Sequence, residues 1–339
     1  MEQVIKSYVK RHIIKYPKIE TIDIYKMIYQ ASFLAGHIIT DKAYDYLVKE
    51  ADLCKNTDNS NNELYDYISD DVVRINLYPY LNYYSAQSLF ELFKKCSGID
   101  LENANLKINS YKNHIKDMLT VENRVLEYLV NDGYVNKSIP SHSTIYKSKY
   151  NPSYRIAKAK DISVDLRVKK LQSYIDSLYN KTSDKLLIAL EGRCGSGKTT
   201  ISNLLSNVTI IHVDDFFDEK KKQRLDYDRL VKLLNKLKSA KVGEKIEFDA
   251  FSCSDWSYHK KEITVNKIIV VEGVYSYSEE VREFFDEVVF SVISKEVQLE
   301  RLTNRENEFY LQKYLNVWIP REEEYYNTFD FVSNANILI

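Results

Sequence analysis

The side chains with the clearest chemistry lie in residues 192–200, which fit the phosphate-binding pattern GxxxxGK[ST] at every fixed position. Glycines at the first, fourth and sixth positions let successive backbone N–H groups turn inward around phosphate oxygens. Lys198 adds positive charge for the outer phosphates, and the Thr199 hydroxyl suits the Mg²⁺ that accompanies a nucleoside triphosphate. The predicted ATP-binding residues are Gly192, Arg193, Cys194, Gly195, Ser196, Gly197, Lys198, Thr199 and Thr200.

Carboxylates follow two apolar runs downstream of this loop. Asp214 and Asp215 come at the end of the run at 208–213. A carboxylate there can accept a proton from an attacking hydroxyl, or hold magnesium through water. Glu272 ends the run at 268–271 and is an acidic candidate for the metal shell. The predicted metal residues are therefore Thr199 with Glu272 or Asp215, and the residues alone leave open which strand-end carboxylate is the base.

Arg301 and Arg305 lie four residues apart on a predicted helix that begins near Lys295. At this spacing both guanidinium groups occupy one helix face. They could close over a transferred phosphoryl group and neutralise charge in its transition state. Together with Lys198 and Asp214, the two arginines complete the predicted set of catalytic residues.

The pattern around these residues predicts the α/β class. From residue 185 onward, runs typical of β-strands alternate with helical periodicity, as in a parallel sheet covered by helices on both faces. Each candidate carboxylate falls just past the end of a run, which is the sheet edge where open α/β proteins bind ligands. The five runs are residues 186–190, 208–213, 268–271, 288–293 and, more weakly, 337–339.

The first part of the chain has a different residue pattern. Residues 1–160 show apolar spacings of three and four, which predict a mainly α-helical domain of unknown function. An amphipathic helix over 161–182 begins the second domain, 161–339. The helical segments at 21–34 and 41–52 resemble a helix-turn-helix, but no cluster of Arg and Lys marks a recognition helix, so two core helices are the favoured interpretation.

Residues 133–155 contain few apolar side chains and two prolines, which indicates an irregular segment. Two interpretations stay open. Its polar side chains could form a second ligand site, or the segment could be a structural crossing loop.

Composition limits the function classes. The chain has 339 residues and a formal net charge of −1, without the basic excess of a dedicated nucleic-acid binder. Its four cysteines lack CxxC spacing, and no apolar run reaches the length of a membrane helix. These features predict a reduced, cytoplasmic protein without a membrane partner. The sequence leaves the oligomeric state open.

Taken together, the phosphate loop, residues 214–217, Glu272 with Gly273, and the arginine pair resemble the uridine kinase family. Residues 318–322 are similar to its bacterial uridine kinase-like branch. The resemblance covers about 185–339 and implies a five-stranded P-loop sheet with a lid at about 301–321. It also implies transfer of the ATP γ-phosphate to a nucleoside 5′-hydroxyl, with Mg²⁺. Residues 10–155 resemble an uncharacterised helical family of bacterial proteins, which implies no activity.

The resemblance also assigns an acceptor site. It places the catalytic base on Asp214 and a ribose contact on Asp226, although Asp226 is equally suited to cap a helix. Phe217 and Phe248 complete the predicted acceptor residues. Phe248 and Cys253 stand where the family has a tyrosine and a histidine that recognise the base, so pyrimidine specificity does not follow.

We therefore predict an ATP- and Mg²⁺-dependent kinase acting on a small-molecule hydroxyl, in the manner of a nucleoside kinase. The alternative is a P-loop ATPase or nucleotide-dependent switch that regulates the helical domain. Nucleic-acid binding by the helical domain is a weaker third hypothesis.

Overall fold

The computed structural model describes residues 2–35, 39–40, 42–54, 63–98, 100–115, 141–218, 220–221, 225–252 and 254–339. The chain divides into two compact units, Met1–Ile162 and Ser163–Ile339. Within the described residues, no helix is both long enough and apolar enough to cross a membrane.

The amino-terminal unit is mainly helical, as predicted, and also contains a small antiparallel sheet that the sequence did not predict. The strand order is β1-β2-β3. Its elements are α1 (Glu2–Lys15), α2 (Thr21–Phe33), α3 (Ala43–Cys54), β1 (Tyr65–Tyr67), β2 (Val72–Asn76), α4 (Leu77–Leu81), α5 (Ala86–Lys94), α6 (Leu101–Ile115), α7 (Thr144–Tyr150) and β3 (Tyr154–Lys158).

A buried carboxylate organises the core of this unit. Asp23 in the first turn of α2 is fully buried and accepts hydrogen bonds from the Glu20 N–H at 3.0 Å and the Ser143 N–H and Oγ, each at 2.8 Å. His142 Nδ1 lies 2.8 Å from Asp23 Oδ1, the oxygen that also accepts the Ser143 N–H, and His142 Nε2 lies 2.7 Å from the Tyr154 hydroxyl. The residues from 141 onward in the predicted irregular segment therefore tie α7 and β3 to α2, while residues 133–140 lie outside the described part.

The carboxyl-terminal unit contains the predicted parallel sheet. Its strand order is β10-β9-β4-β8-β5, with every pair parallel. The elements are α8 (Val164–Tyr179), β4 (Leu186–Glu191), α9 (Lys198–Ser202), β5 (Val208–His212), α10 (Tyr227–Ser239), β6 (Lys245–Ser252), β7 (Ser257–Thr264), β8 (Ile268–Glu272), β9 (Glu287–Phe290), α11 (Lys295–Arg305), α12 (Glu308–Lys313), α13 (Ile319–Thr328), α14 (Phe331–Asn334) and β10 (Ile337–Leu338).

All five predicted strands are present, each within a few residues of its predicted ends. This confirms the α/β fold class. The sequence did not predict the antiparallel hairpin of β6 and β7, which comes between α10 and β8 in the chain. Leucines of α10 at spacings of three and four pack under the sheet, and Asp226 caps that helix through the Arg229 N–H.

Two buried histidines predict how the amino-terminal unit responds to pH. Burial lowers the pKa of His142 to about 4 and that of His12 to about 3. Unfolded histidine takes up its proton near pH 6.5, so below that pH the unfolded state binds more protons. We expect the unit to lose stability as the pH falls from 6.5 to 4, with a slope of up to about 1.4 kcal/mol per pH unit for each histidine.

Urea unfolding at pH 7, 6, 5 and 4, followed by hydrogen exchange in peptides from α1 and α2, measures this slope. His142→Gln should reduce it, whereas His114→Gln, a change at an exposed residue of α6, should not. A profile that stays flat down to pH 4 would show that these histidines are protonated in the folded unit.

Candidate active site

The phosphate loop runs from the end of β4 to the first residue of α9. Gly192, Gly195 and Gly197 have φ angles of 148°, 76° and 91°. A Cβ atom on Gly192 would lie 2.6 Å from the carbonyl oxygen of Ser291. Only glycine fits this close approach, so the loop and the end of β9 are packed backbone to backbone.

Side chains from three helices hold five consecutive carbonyl oxygens of the loop. A trans peptide places each carbonyl opposite the N–H of the next residue, so carbonyls held on one side turn N–H groups toward the other. The pairs are Gly192 and Arg193 with Lys198 Nζ (2.5 and 3.1 Å), Cys194 with Gln298 Nε2 (3.1 Å), Gly195 with Arg301 Nη1 (2.8 Å) and Ser196 with Arg167 Nη1 (2.7 Å).

Of these donors, Arg167 and Gln298 were missed by sequence reasoning. Arg167 is buried in α8, and its second amino group donates to Ser291 Oγ at 2.7 Å. Gln298 is buried in α11. A polar residue on the packed face of an amphipathic helix is the only signal that the sequence offers for either residue.

Helix α13 lies against the loop through two adjacent glutamates. The Glu322 carboxylate accepts a hydrogen bond from the Cys194 N–H at 3.0 Å, and Glu323 pairs with Arg193 at 2.6 Å. Glu322 is buried, and burial raises the pKa of its carboxyl group. The Glu322 side chain therefore takes up one backbone N–H of the loop that is predicted to bind phosphate.

Glu191 is a second buried carboxylate that the sequence did not reveal. It is the last residue of β4 and accepts hydrogen bonds from the hydroxyls of Tyr325 and Tyr326 at 2.9 and 3.0 Å. The Gly192 and Tyr277 N–H groups donate to it at 3.0 and 3.2 Å. Burial raises its pKa, while the nearby Lys198 charge acts in the opposite direction. Glu191 thus joins the start of the loop to α13.

The predicted metal residues Thr199 and Glu272 lie together. The Thr199 hydroxyl donates to Glu272 Oε1 at 2.9 Å, and His212 Nδ1 lies 2.6 Å from the same oxygen. A hydroxyl and a carboxylate are oxygen donors of the kind that Mg²⁺ prefers, with phosphate oxygens and water completing its shell. Within the described residues, no group of three or more His, Cys, Asp and Glu side chains forms a metal site.

The two aspartates after β5 have different surroundings. Asp215 pairs with Lys261 on β7 at 2.7 Å, which commits its carboxylate to the hairpin. Asp214 is exposed to solvent, yet the protein atoms that crowd it, followed by the negative charge of Glu272, raise its pKa. Lys198 lies close enough to oppose this shift. The structure therefore groups Asp214, and not Asp215, with the phosphate loop and Glu272.

The two predicted lid arginines also have different contacts. Arg301 contacts the loop at the Gly195 carbonyl. Arg305 is half exposed and bonds to Glu306 Oε1 at 2.6 Å and to the Tyr314 hydroxyl at 3.1 Å. In this arrangement only Arg301 reaches the loop.

The predicted acceptor residues are divided between the core and the surface. Phe248 is buried and stacks on Phe216 at 5.7 Å, and Asp226 serves as the cap of α10. Phe217 belongs to an aromatic group with Phe251 and Trp256, whose indole is 60% exposed. Cys253 lies outside the described residues.

A cavity of about 530 Å³ opens beside α13, on the segment that follows β8. Tyr275 in that segment has a φ of 72°, a rare conformation for a residue other than glycine and one that is often found at functional sites. The lining residues are Lys221, Tyr275, Tyr277, Ser278, Glu279, Glu280, Arg282, Arg321, Glu324, Tyr325, Thr328 and Phe329.

Comparison with known proteins agrees with this geometry. The model of the phosphoribulokinase/uridine kinase family matches residues 212–309, which run from the end of β5 into α12. The predicted resemblance to the uridine kinase family is confirmed. The matched segment begins after the phosphate loop and covers less than a third of the chain.

Among curated proteins, the chain is 31% identical over 121 residues to inorganic pyrophosphatase TTM2 of Arabidopsis thaliana, a match over 32% of this chain and 18% of the relative. It is 24% identical over 126 residues to uridine-cytidine kinase C of Dictyostelium discoideum, over 33% and 28% of the two chains. The chain thus spans less than a third of the length of these relatives. A solved possible uridine kinase from Bacillus stearothermophilus matches with 22% identity and a TM-score of 0.41, over 52% of this chain and all of that one.

The contact of Glu322 with the loop predicts a gain in nucleotide affinity on substitution. Because a triphosphate and the Glu322 carboxylate would compete for one N–H, Glu322→Gln should tighten ATP binding by roughly 1 to 2 kcal/mol, or five- to thirty-fold. Titration calorimetry with a non-hydrolysable ATP analogue measures the change.

Glu324→Gln is the matched control, because it removes the same charge from an exposed position of α13 that makes no contact with the loop N–H. Equal gains in both variants would indicate a general charge effect. Weaker binding in Glu322→Gln would mean that the carboxylate supports the binding conformation instead of competing with the phosphate.

Proposed function

We propose that the protein is an ATP- and Mg²⁺-dependent phosphotransferase that moves the γ-phosphate of ATP to a hydroxyl of a small molecule. The observation that carries this proposal is that Asp214 is exposed and lies close enough to Lys198 and Glu272 for their charges to act on its pKa, while Glu272 accepts a hydrogen bond from Thr199. A nucleotide-dependent switch needs no carboxylate that can accept the proton of an acceptor hydroxyl.

Each residue of the site has a role in this proposal. The N–H groups of the phosphate loop bind the β- and γ-phosphates, and Lys198 turns from the loop carbonyls toward the transferred group. Asp214 orients the acceptor hydroxyl and takes its proton, for which a raised pKa is suited. A magnesium ion held by Thr199, with Glu272 behind it, would neutralise charge on the phosphates. Arg301 would keep its contact with the loop when the predicted lid at 301–321 closes.

A nucleoside is the acceptor that we propose, in line with the resemblance to uridine kinases. The exposed ring of Trp256 next to Phe217 offers a surface on which a base could stack. Phe248 is buried in the core, so this position supplies no polar group to read the base edge. We therefore expect broad acceptance of bases, with recognition concentrated on the sugar hydroxyls. A cytoplasmic location is part of the proposal and rests on the scattered cysteines.

The alternative function is hydrolysis, either of ATP in a switch or of pyrophosphate. Two of the relatives are named inorganic pyrophosphatase. Pyrophosphate must therefore be tested as a substrate in any assay. Hydrolysis without an acceptor would favour this alternative.

The first experiment is an ADP-release assay with Mg-ATP against a panel of nucleosides and other hydroxyl compounds. We expect one acceptor to raise turnover, and Asp214→Asn to lower that increment by about 100-fold or more because the base is lost. Asp215→Asn is the matched control and should change turnover less, because its carboxylate pairs with Lys261. If no acceptor matters and both variants hydrolyse ATP or pyrophosphate like the native protein, the kinase proposal fails.

The metal assignment predicts a separate change. Glu272→Gln should raise the Mg²⁺ concentration needed for half-maximal turnover by about tenfold, since a carboxylate behind the metal ligand is lost. Glu247→Gln, on the exposed face of the hairpin, should leave the metal requirement unchanged. An equal metal requirement in Glu272→Gln and the native protein would remove Glu272 from the metal shell.

A further inference from the structure

The amino-terminal unit contains a cavity of about 340 Å³ that the kinase chemistry does not use. It lies between α2, the end of α3, α7 and the loop before β3. A volume of this size is at the lower end of the range for small-molecule sites. The lining residues are Lys26, Glu50, Leu53, Cys54, His142, Lys147, Asn151, Pro152 and Ser153.

Two lysines line this cavity, and in the described part of the chain neither forms an ion pair. Neither Lys26 nor Lys147 makes a side-chain hydrogen bond or ion pair with any residue that the structure describes. Glu50 lines the same cavity, but its carboxylate pairs with Arg155 at 2.8 Å. The cavity therefore carries an excess of positive charge.

The buried carboxylate of Asp23, whose charge acts on Lys26, is also committed elsewhere. Asp23 already accepts hydrogen bonds from Glu20, Ser143 and His142, so its charge is spread over that network. His142 uses both ring nitrogens, one toward Asp23 and one toward Tyr154. Burial lowers the pKa of His142 to about 4, so at neutral pH the imidazole that lines the cavity is uncharged.

The electrostatics of Lys26 reflect this imbalance. Burial, followed by repulsion from Lys147, lowers the pKa of Lys26 to about 8. Arg74 and Arg155 act in the same direction, and Asp23 opposes them. A half-buried ammonium group surrounded by cations is an unfavourable arrangement that an anion in the cavity would relieve.

We propose that this cavity binds a small anion, a phosphate or carboxylate group of a metabolite, between the ammonium groups of Lys26 and Lys147. Leu53 and Pro152 form the apolar part of the wall, which admits a short apolar portion of the same ligand. This site belongs to the amino-terminal unit alone and does not depend on the proposed kinase function.

The experiment measures the reactivity of Lys26 itself, so that anions bound at the phosphate loop do not interfere. The full chain is acylated briefly at pH 8 in the presence of inorganic phosphate, pyrophosphate or malonate, with chloride at equal ionic strength as reference. Mass spectrometry then gives the acylation rate of each lysine. A bound anion shields Lys26 and favours its unreactive charged form, so we expect its rate to fall several-fold with at least one probe. Lys49, exposed on α3, should react equally in all buffers.

The phosphate and malonate arms distinguish a phosphate ligand from a carboxylate ligand. Lys147→Gln, a change at an exposed side chain that should not affect folding, is expected to remove most of the protection of Lys26, whereas Lys49→Gln should leave it intact. The proposal is overturned if no probe slows Lys26 relative to chloride, or if the protection is unchanged in Lys147→Gln.

Discussion

The carbonyl oxygens of the phosphate loop impose the central constraint on the carboxyl-terminal unit. A loop can direct its N–H groups toward an anion only if its carbonyls are held on the opposite side, and here α8, α9 and α11 each supply donors for that purpose. Arg167 is the clearest case, since one guanidinium group joins α8 to both the loop and Ser291 after β9.

Charge balance is the second constraint, and it is met with buried groups. The buried carboxyl groups of Glu191, Glu272 and Glu322 lie around the loop, and the Lys198 charge acts on Glu191 and Glu322. Each carboxylate accepts at least one hydrogen bond from a backbone N–H or a hydroxyl. Buried charges are tolerated only when they are paired and hydrogen-bonded in this way, so substitution of one partner affects the whole group.

The sequence predicted the features that are local in the chain. The glycine spacing, the five apolar runs and the carboxylates at strand ends lie within a few residues of one another, and sheet geometry brings the strand ends together. The contacts of Arg167, Glu191 and Glu322 span 29, 134 and 128 residues, and no local pattern encodes such distances. Phe248 shows another limit, because alternation along β6 buries this ring regardless of what its position does in the family.

The Glu322 contact also links nucleotide affinity to folding stability. Backbone N–H groups that converge on an empty site would lack a hydrogen-bond partner, which destabilises a folded chain. With Glu322 in place, one of these groups is satisfied when no nucleotide is bound. If phosphate binds there as we propose, this carboxylate would have to leave first, so tighter nucleotide binding would be gained at the expense of the heat resistance of the free protein.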